Sequence, residues 1–453
     1  MPSDAQPFDV GLLSPVSAGH DAAVSDAALL DALVAAEVAL VRAMATVGAV
    51  DTAIADEVSV ALGWREAGGG CEGHGLDPAA LAAAAVASGN PVVPLVALLR
   101  ERVPERARPF LHRGATSQDI LDNALLLIAR ASSARVLTDL RRADAALTRF
   151  ADEHRDLTAA ARTLTQHAVP TTVGARAATW VRGIRRAIAR LDAARAELPV
   201  QLGGAAGTLA SFVADLGADR AAALPAAYAA ELDLRPSDAP WQTNRWPITE
   251  LGDALVQSVD ALGVLAADVA TLSRTEIAEL SEAVGGASSA MPQKANPVAS
   301  ILIRSAAMRA PQLGATLHLA ASLTVDERPD GAWHVEWPTL REVLRLASGA
   351  AAHAADLAEG LRVHPAAVAR NLALTGGLIV SERLAIALVP LIGRERFAGL
   401  IRAASDGGDL AALVAALPET AGLDFDELLD PAAYTGLARQ SVDRLADHPG
   451  VSS

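Results

Sequence analysis

Residues 285–297 read GGASSAMPQKANP. Two glycines, two serines and two prolines in one short run exclude the interior of a helix. Yet the segments on either side are alanine-rich and carry helical periodicity. Before it, residues 249–283 place Leu255, Leu262 and Val269 seven apart, and Leu265 and Leu272 likewise, which predicts a helix with a buried, coiled-coil-like seam. After it, residues 298–323 read as a further helix. The stretch is therefore either a linker or a mobile catalytic loop set into a helical body.

Working outward, residues 119–156 contain no proline or glycine and read as one long helix. Residues 175–198 read as another, stopped by Pro199, and residues 338–361 as a fifth. Near the start, Leu29, Leu30, Leu33, Val34, Val38 and Val41 recur at three- and four-residue steps between a Ser25-Asp26 entry and a Gly48 stop. Strand patterns are scarce and no internal repeat is evident. The fold expected is all-α, an elongated central bundle of long helices flanked by two smaller helical domains. Punctuation by glycine and proline places the N-terminal domain at 1–110 and the central bundle, with loop 285–297, at 111–363. The C-terminal domain follows at 364–453.

Composition narrows the function. The chain has 453 residues, 51% hydrophobic but only 3% aromatic, so alanine carries closely packed helices rather than a thick aromatic core. A net charge of −15 with no basic stripe argues against nucleic acid and against an anionic membrane surface. The first residues show no basic, apolar leader, and no transmembrane helix is expected. Cys71 is the one cysteine, which allows no intrachain disulfide and fits a cytoplasmic protein.

Several motifs are ruled out. Gly68–Gly73 fits G-x-G-x-x-G in form, but lacks the strand before and the helix after that a dinucleotide site requires. His334 and Glu336 have no H-E-x-x-H context, and no phosphate-binding G-x-x-x-x-G-K-[ST] or nucleophile-elbow G-x-S-x-G occurs. Neither a metal nor an organic cofactor is expected. Three polar islands beside the long helices remain. His112 to Asp119, HRGATSQD, precedes a helix: Thr116 or Ser117 is either its N-cap or part of an anion site at its N-terminus. Arg162 to Thr172, RTLTQHAVPTT, is either a polar turn or a substrate-facing cluster that includes Gln166 and His167. The third island is the opening stretch, where Lys294 and Asn296 are suited to stabilise the dianion formed when a proton leaves carbon beside a carboxylate, and a serine is a candidate base.

In this order and spacing the islands resemble the fumarase/aspartase superfamily. Ala287 to Pro297 matches the motif G-S-S-x-M-P-x-K-x-N-P apart from its leading glycine, and GATSQD is a second match. The resemblance covers most of the chain. It implies Ser288 as catalytic base, with Lys294 and Asn296, beside Ser289, on the substrate carboxylate and its enediolate. It also implies His112, Thr116, Ser117, Gln166 and Arg245 as holders of substrate groups, and a homotetramer whose sites are shared between subunits. One departure stands out. Where many members carry a histidine in G-x-T-H-x-Q, this chain has Leu164, which cannot transfer a proton; His167, three residues on, is the candidate substitute. The runs at 88–96 and 331–337 are similar to the carboxymuconate cycloisomerase branch. That branch implies cyclisation of 3-carboxy-cis,cis-muconate, a small tricarboxylate, to a carboxylated muconolactone. An adenylosuccinate-lyase-like elimination and a non-catalytic assembly protein are the alternatives.

Overall fold

The structure, a computed structural model, describes residues 10–283, 291 and 294–447. Ser288 and Ser289 lie outside the described residues. The long helices are Ser117–Glu153, Val173–Ala196, Trp246–Leu272, Val298–Ser322 and Gly331–Glu359. The family of bundle folds expected from the helical pattern is therefore the one observed. The leucine seam is buried throughout: Leu255, Leu262, Leu265 and Val269 are fully inaccessible.

Two compact units divide the chain, one of Met1–Thr138, Ala187–Asp260 and Ser305–Ala352, the other of Asp139–Arg186, Ala261–Arg304 and His353–Ser453. Each unit takes a portion of every long helix. The division expected at 110 and 363 follows sequence punctuation, whereas compactness follows packing across the helices.

In the first unit, Ser25 caps the Asp26–Thr46 helix by accepting from the Ala28 N–H at 3.2 Å. Its apolar face, including Leu33, Val38, Leu40 and Met44, is buried and packs on the Ala218–Leu232 helix. The Tyr228 hydroxyl donates to the Ala36 carbonyl at 3.0 Å and joins the two. In the second unit, Ile379, Val380, Leu384, Leu388, Ile392, Leu410 and Val414 form a core.

Three local findings differ from the sequence reading. The polar run at 162–172 is not a simple interhelix turn but most of a β-hairpin, Thr158–Thr163 paired antiparallel with Gln166–Thr172. Leu164 and Thr165 form its two-residue tip at φ 48° and 72°. Such tips require positive φ at both positions and usually take Asn-Gly, so neither residue announces the turn. Next, the helix expected to reach 283 stops at Leu272. The chain turns back through 273–279 and forms a short antiparallel pair, Leu280–Ser281 with Arg362–Val363. No glycine or proline marks that stop, and just beyond it Glu279 enters the buried ion pairs described below. Finally, the last long helix begins at Gly331 and carries Pro338 inside it. Trp333 and Trp337 stack edge-to-face at 4.6 Å and brace the first turns, where the proline removes a backbone bond.

Trp246–Leu272 also meets the length and apolarity of a membrane span. It carries Glu250, Asp253, Asp260 and Asp268 and buries its seam, as a core helix does.

Gly349 shows how tightly the first unit closes. A Cβ there would stand 1.9 Å from the Val16 carbonyl oxygen. Gly349→Ala is expected to destabilise the protein by about 3 kcal/mol, read as a lowered urea midpoint with an unchanged denaturant slope.

Candidate active site

The first island lies in the first unit, at the entry to the Ser117–Glu153 helix. Its anchor is Asp119, fully buried, which accepts from the backbone N–H of Thr116 at 3.0 Å, Gly203 at 2.8 Å and Gly204 at 2.9 Å. Burial pushes its carboxyl up to about 7 against the pull of those donors. Asp119 therefore ties the island to the 201–204 loop and sets where Thr116 and Ser117 stand. Asn123 extends the tie, donating to the Gln201 carbonyl at 2.7 Å and accepting from the Gln201 N–H at 2.9 Å. His112 stands at φ 59°, a left-handed backbone that ordinary residues avoid. Its Nδ1 lies 2.7 Å from Glu37 Oε1, and its backbone N–H donates to Glu37 Oε2 at 3.0 Å. Burial works against the imidazolium, but Glu37, helped by Asp119, raises the proton affinity of His112 above the ordinary histidine value.

Arg245 belongs to a different arrangement in the same unit. Its side chain is fully buried between Asp122 and Glu336. Nε donates to Glu336, Nη1 to Asp122 at 2.8 Å, and Nη2 to Asp122 at 3.0 Å and Glu336 at 2.7 Å. Trp333 Nε1 donates to Asp122 at 2.8 Å, and the guanidinium lies over the Trp241 ring. This corrects the expectation that Arg245 holds a substrate carboxylate: two protein carboxylates already occupy its donors. Glu336 is likewise engaged, and His334 bonds backbone carbonyls of Asp330 and Gly89. Among the described residues no metal-binding cluster of His, Cys, Asp or Glu occurs.

The second and third islands lie in the second unit. Gln166 and His167 open the returning strand of the hairpin. Burial, and the charge of Arg162, hold His167 below its usual pKa, so at neutral pH it is a neutral imidazole. Such a group accepts a proton more readily than it gives one. Beneath the hairpin, buried Glu279 receives Arg162 at 2.6 Å, Asn371 at 2.9 Å and Arg176 at 3.5 Å. Burial raises its carboxyl, but these partners outweigh that and keep it below the ordinary range.

Lys294 and Asn296 line a cavity of about 520 Å³ together with Arg274, Arg304, Ser281 and His364. Glu282 also borders it, but that carboxylate accepts from the N–H groups of Ala299 and Ser300 and from the Ser300 hydroxyl at 2.7 Å, at the N-terminus of the Val298–Ser322 helix. Lys294, Arg274 and Arg304 thus give the cavity a cationic lining fit for an anion. His364 Nε2 lies 2.9 Å from Ser281 Oγ on the same wall. His167 and Gln166 are not part of that lining. Sequence reading missed Glu37, Arg274, Arg304 and Glu279. Glu37 did carry a signal: it is an acid within the apolar three-four repeat of Leu33, Val34, Val38 and Val41.

The model of a lyase family matches residues 21–311, which hold the first three long helices, the start of the fourth and all three islands. The chain belongs to the fumarase/aspartase lyase family. It is similar to the nitrosuccinate lyase of Streptomyces davaonensis, 46% identical over 99% of this chain and 97% of that one. It is also similar to the 3-carboxy-cis,cis-muconate cycloisomerase of Bradyrhizobium diazoefficiens, 38% identical over 96% and 97%. The crystal structure of the 3-carboxy-cis,cis-muconate lactonizing enzyme from Pseudomonas putida superposes with a TM-score of 0.84 at 34% identity, covering 93% of this lyase and 94% of that chain.

Removing Arg245 strands two buried carboxylates. Arg245→Met is expected to destabilise this lyase by about 3–5 kcal/mol, measured by urea denaturation at pH 7.

Proposed function

We propose that this lyase eliminates an anionic leaving group from a substituted succinate, and that nitrosuccinate is the substrate. The observation that carries the anionic leaving group is Leu164, 95% exposed at the hairpin tip where many members of the family carry a histidine, and the choice of nitrosuccinate rests on similarity to a relative. A leucine neither donates nor accepts a proton. Eliminations that expel hydroxide, ammonia or an amine need an acid to protonate the departing group. Nitrite leaves as the stable conjugate base of an acid and needs none. The 46% identity to a nitrosuccinate lyase over nearly the whole of both chains supports the same reading.

In the proposed step a base removes a proton from the carbon beside one carboxylate. The electron pair forms the carbon–carbon double bond, the carbon–nitrogen bond breaks, and fumarate, nitrite and one proton result. Lys294 and Asn296 hold the carboxylate whose neighbouring carbon loses the proton, where added charge is most in need of cationic and amide donors. Ser288 is the proposed base and Ser289 a proposed substrate contact, while Thr116 and Ser117 hold the other carboxylate at a helix N-terminus. His167, neutral at pH 7, is available as an acceptor for the released proton. The second reading is cyclisation of 3-carboxy-cis,cis-muconate, supported by the 38% identity and the 0.84 TM-score. Its reverse also expels a carboxylate, an anion that needs no acid, so Leu164 is compatible with both.

The proposed assembly is a homotetramer. Ile301, Met308 and Leu319 are exposed at 50%, 67% and 60% along one helix, at spacings that keep them on one stripe. A second copy of the chain is the proposed cover. Met308→Glu is expected to lower the oligomer mass seen by light scattering; an unchanged mass would remove the stripe from the interface.

Nitrite and fumarate released together from nitrosuccinate, in equal amounts, is the expected assay result. Turnover of carboxymuconate alone would establish the second reading instead, and fumarate from adenylosuccinate would overturn both. With the preferred substrate, Lys294→Ala is expected to lower kcat/KM by about 100-fold or more, measured in the same assay.

A further inference from the structure

Glu37 is a carboxylate that neither the fold nor the proposed reaction accounts for. It sits in mid-helix with 0% exposure, among Leu33, Val34, Val38 and Val41. An ionised group in such surroundings is tolerated only with a partner. The described partners of Glu37 come from one residue: the imidazole Nδ1 and the backbone N–H of His112 take one carboxylate oxygen each. The grip is two-point, so it sets the ring's position as well as its charge. It also explains why His112 tolerates a left-handed backbone. The groups facing the imidazole come from three helices: Glu37 from Asp26–Thr46, Asp119 from Ser117–Glu153 and Arg100 from Val92–Arg102. Glu37, within hydrogen-bond reach of Nδ1, outweighs Arg100 and favours the imidazolium, while Asp119, its own carboxyl pushed up to about 7, adds less. Its side chain is 20% exposed, unlike the sealed Glu37. With Nδ1 taken, Nε2 is the nitrogen left for a ligand.

We propose that Glu37 is the positioning residue for His112, fixing its Nδ1–H and presenting Nε2–H as the donor that grips the departing anion of the substrate. The inference rests on the elimination proposed above. As the carbon–nitrogen bond breaks, its electron pair leaves with nitrite, and Nε2–H hydrogen-bonds a nitrite oxygen. The proton stays on His112, so no acid step is added. The charged donor supplies what Leu164 cannot: stabilisation of the leaving group without protonating it.

The test has two arms. The first needs no substrate. In the full-length protein with carbon-13-labelled histidine, the His112 resonance, assigned with His112→Gln, is titrated by NMR. The raised affinity predicts that His112 stays protonated into the neutral range, and that Glu37→Gln moves its titration down by about one pH unit or more. The second arm is the pH profile of nitrite release. The required form is the protonated one, so activity is lost as pH rises through the His112 pKa. Glu37→Gln should move that loss to lower pH and reduce kcat/KM by about 10-fold or more at pH 8, with a smaller loss at pH 6. A merely structural Glu37 would lower the yield of folded enzyme and leave the limb in place. If Glu37→Gln does not fold, Glu37→Asp keeps the charge at longer reach and should give a smaller shift of the same sign. A wild-type His112 that titrates at or below the ordinary value, or a limb that the Glu37 variants leave in place, overturns the proposal. No nitrite from the wild type sinks the elimination reading, while the titration arm still reports on Glu37.

Discussion

The first unit depends on one buried ion-pair network. Arg245 stands immediately before the Trp246–Leu272 helix, Asp122 in the second turn of Ser117–Glu153, and Glu336 in the second turn of Gly331–Glu359. One guanidinium therefore pins three long helices near their N-terminal ends. Burial disfavours its charge, yet the two carboxylates more than compensate and hold it protonated. A buried network of this kind does less for stability than for register, because a displaced helix would leave a charge unpaired in the core. The neighbouring polar residues follow from it. Gln118 donates to the Gln242 carbonyl at 2.8 Å, and Asp119 and Asn123 tie the same helix start to the 201–204 loop. Thr116 and Ser117 inherit their places from that scaffold.

Glu279 plays the corresponding part in the second unit. It draws Arg162 from the hairpin, Arg176 from the following helix and Asn371 from the C-terminal segment onto one buried carboxylate. The chain has left helical geometry after Leu272 where Glu279 meets these partners. The residues that follow then form a strand pair and the wall of the cationic cavity. Glu282 caps the next helix from across the loop, so the chain is anchored on both sides of residues 285–297.

The candidate site gathers cations within a net-acidic protein. The chain carries −15 overall, yet Lys294, Arg274 and Arg304 gather on one cavity. Local focusing, not net charge, governs what such a site accepts. The composition weighed against nucleic acid but could not reveal this concentration of cations. The same limit applies to Leu164. Its identity is plain in the sequence, whereas its place at an exposed hairpin tip comes from pairing between strands that carry little strand propensity.

Periodicity and local chemistry determined the long helices, their order and the buried leucine seam, because a 3.6-residue repeat of apolar side chains has one low-energy solution. The islands at Thr116, His167 and Lys294 stood out as polar runs between apolar helical patterns, although caps and turns use the same residues. Only the tertiary structure decided what long-range charge pairing controls. Arg245 looked available for a substrate until Asp122 and Glu336 were seen to fill it. Glu37 drew no notice in the sequence, and only its contact with His112 gives it a place. The stop at Leu272 carries no glycine or proline, and the ion pair just beyond it joins Glu279 to Arg162, 117 residues apart. Contacts of that kind arise from the desolvation of buried charges, which a linear pattern does not encode.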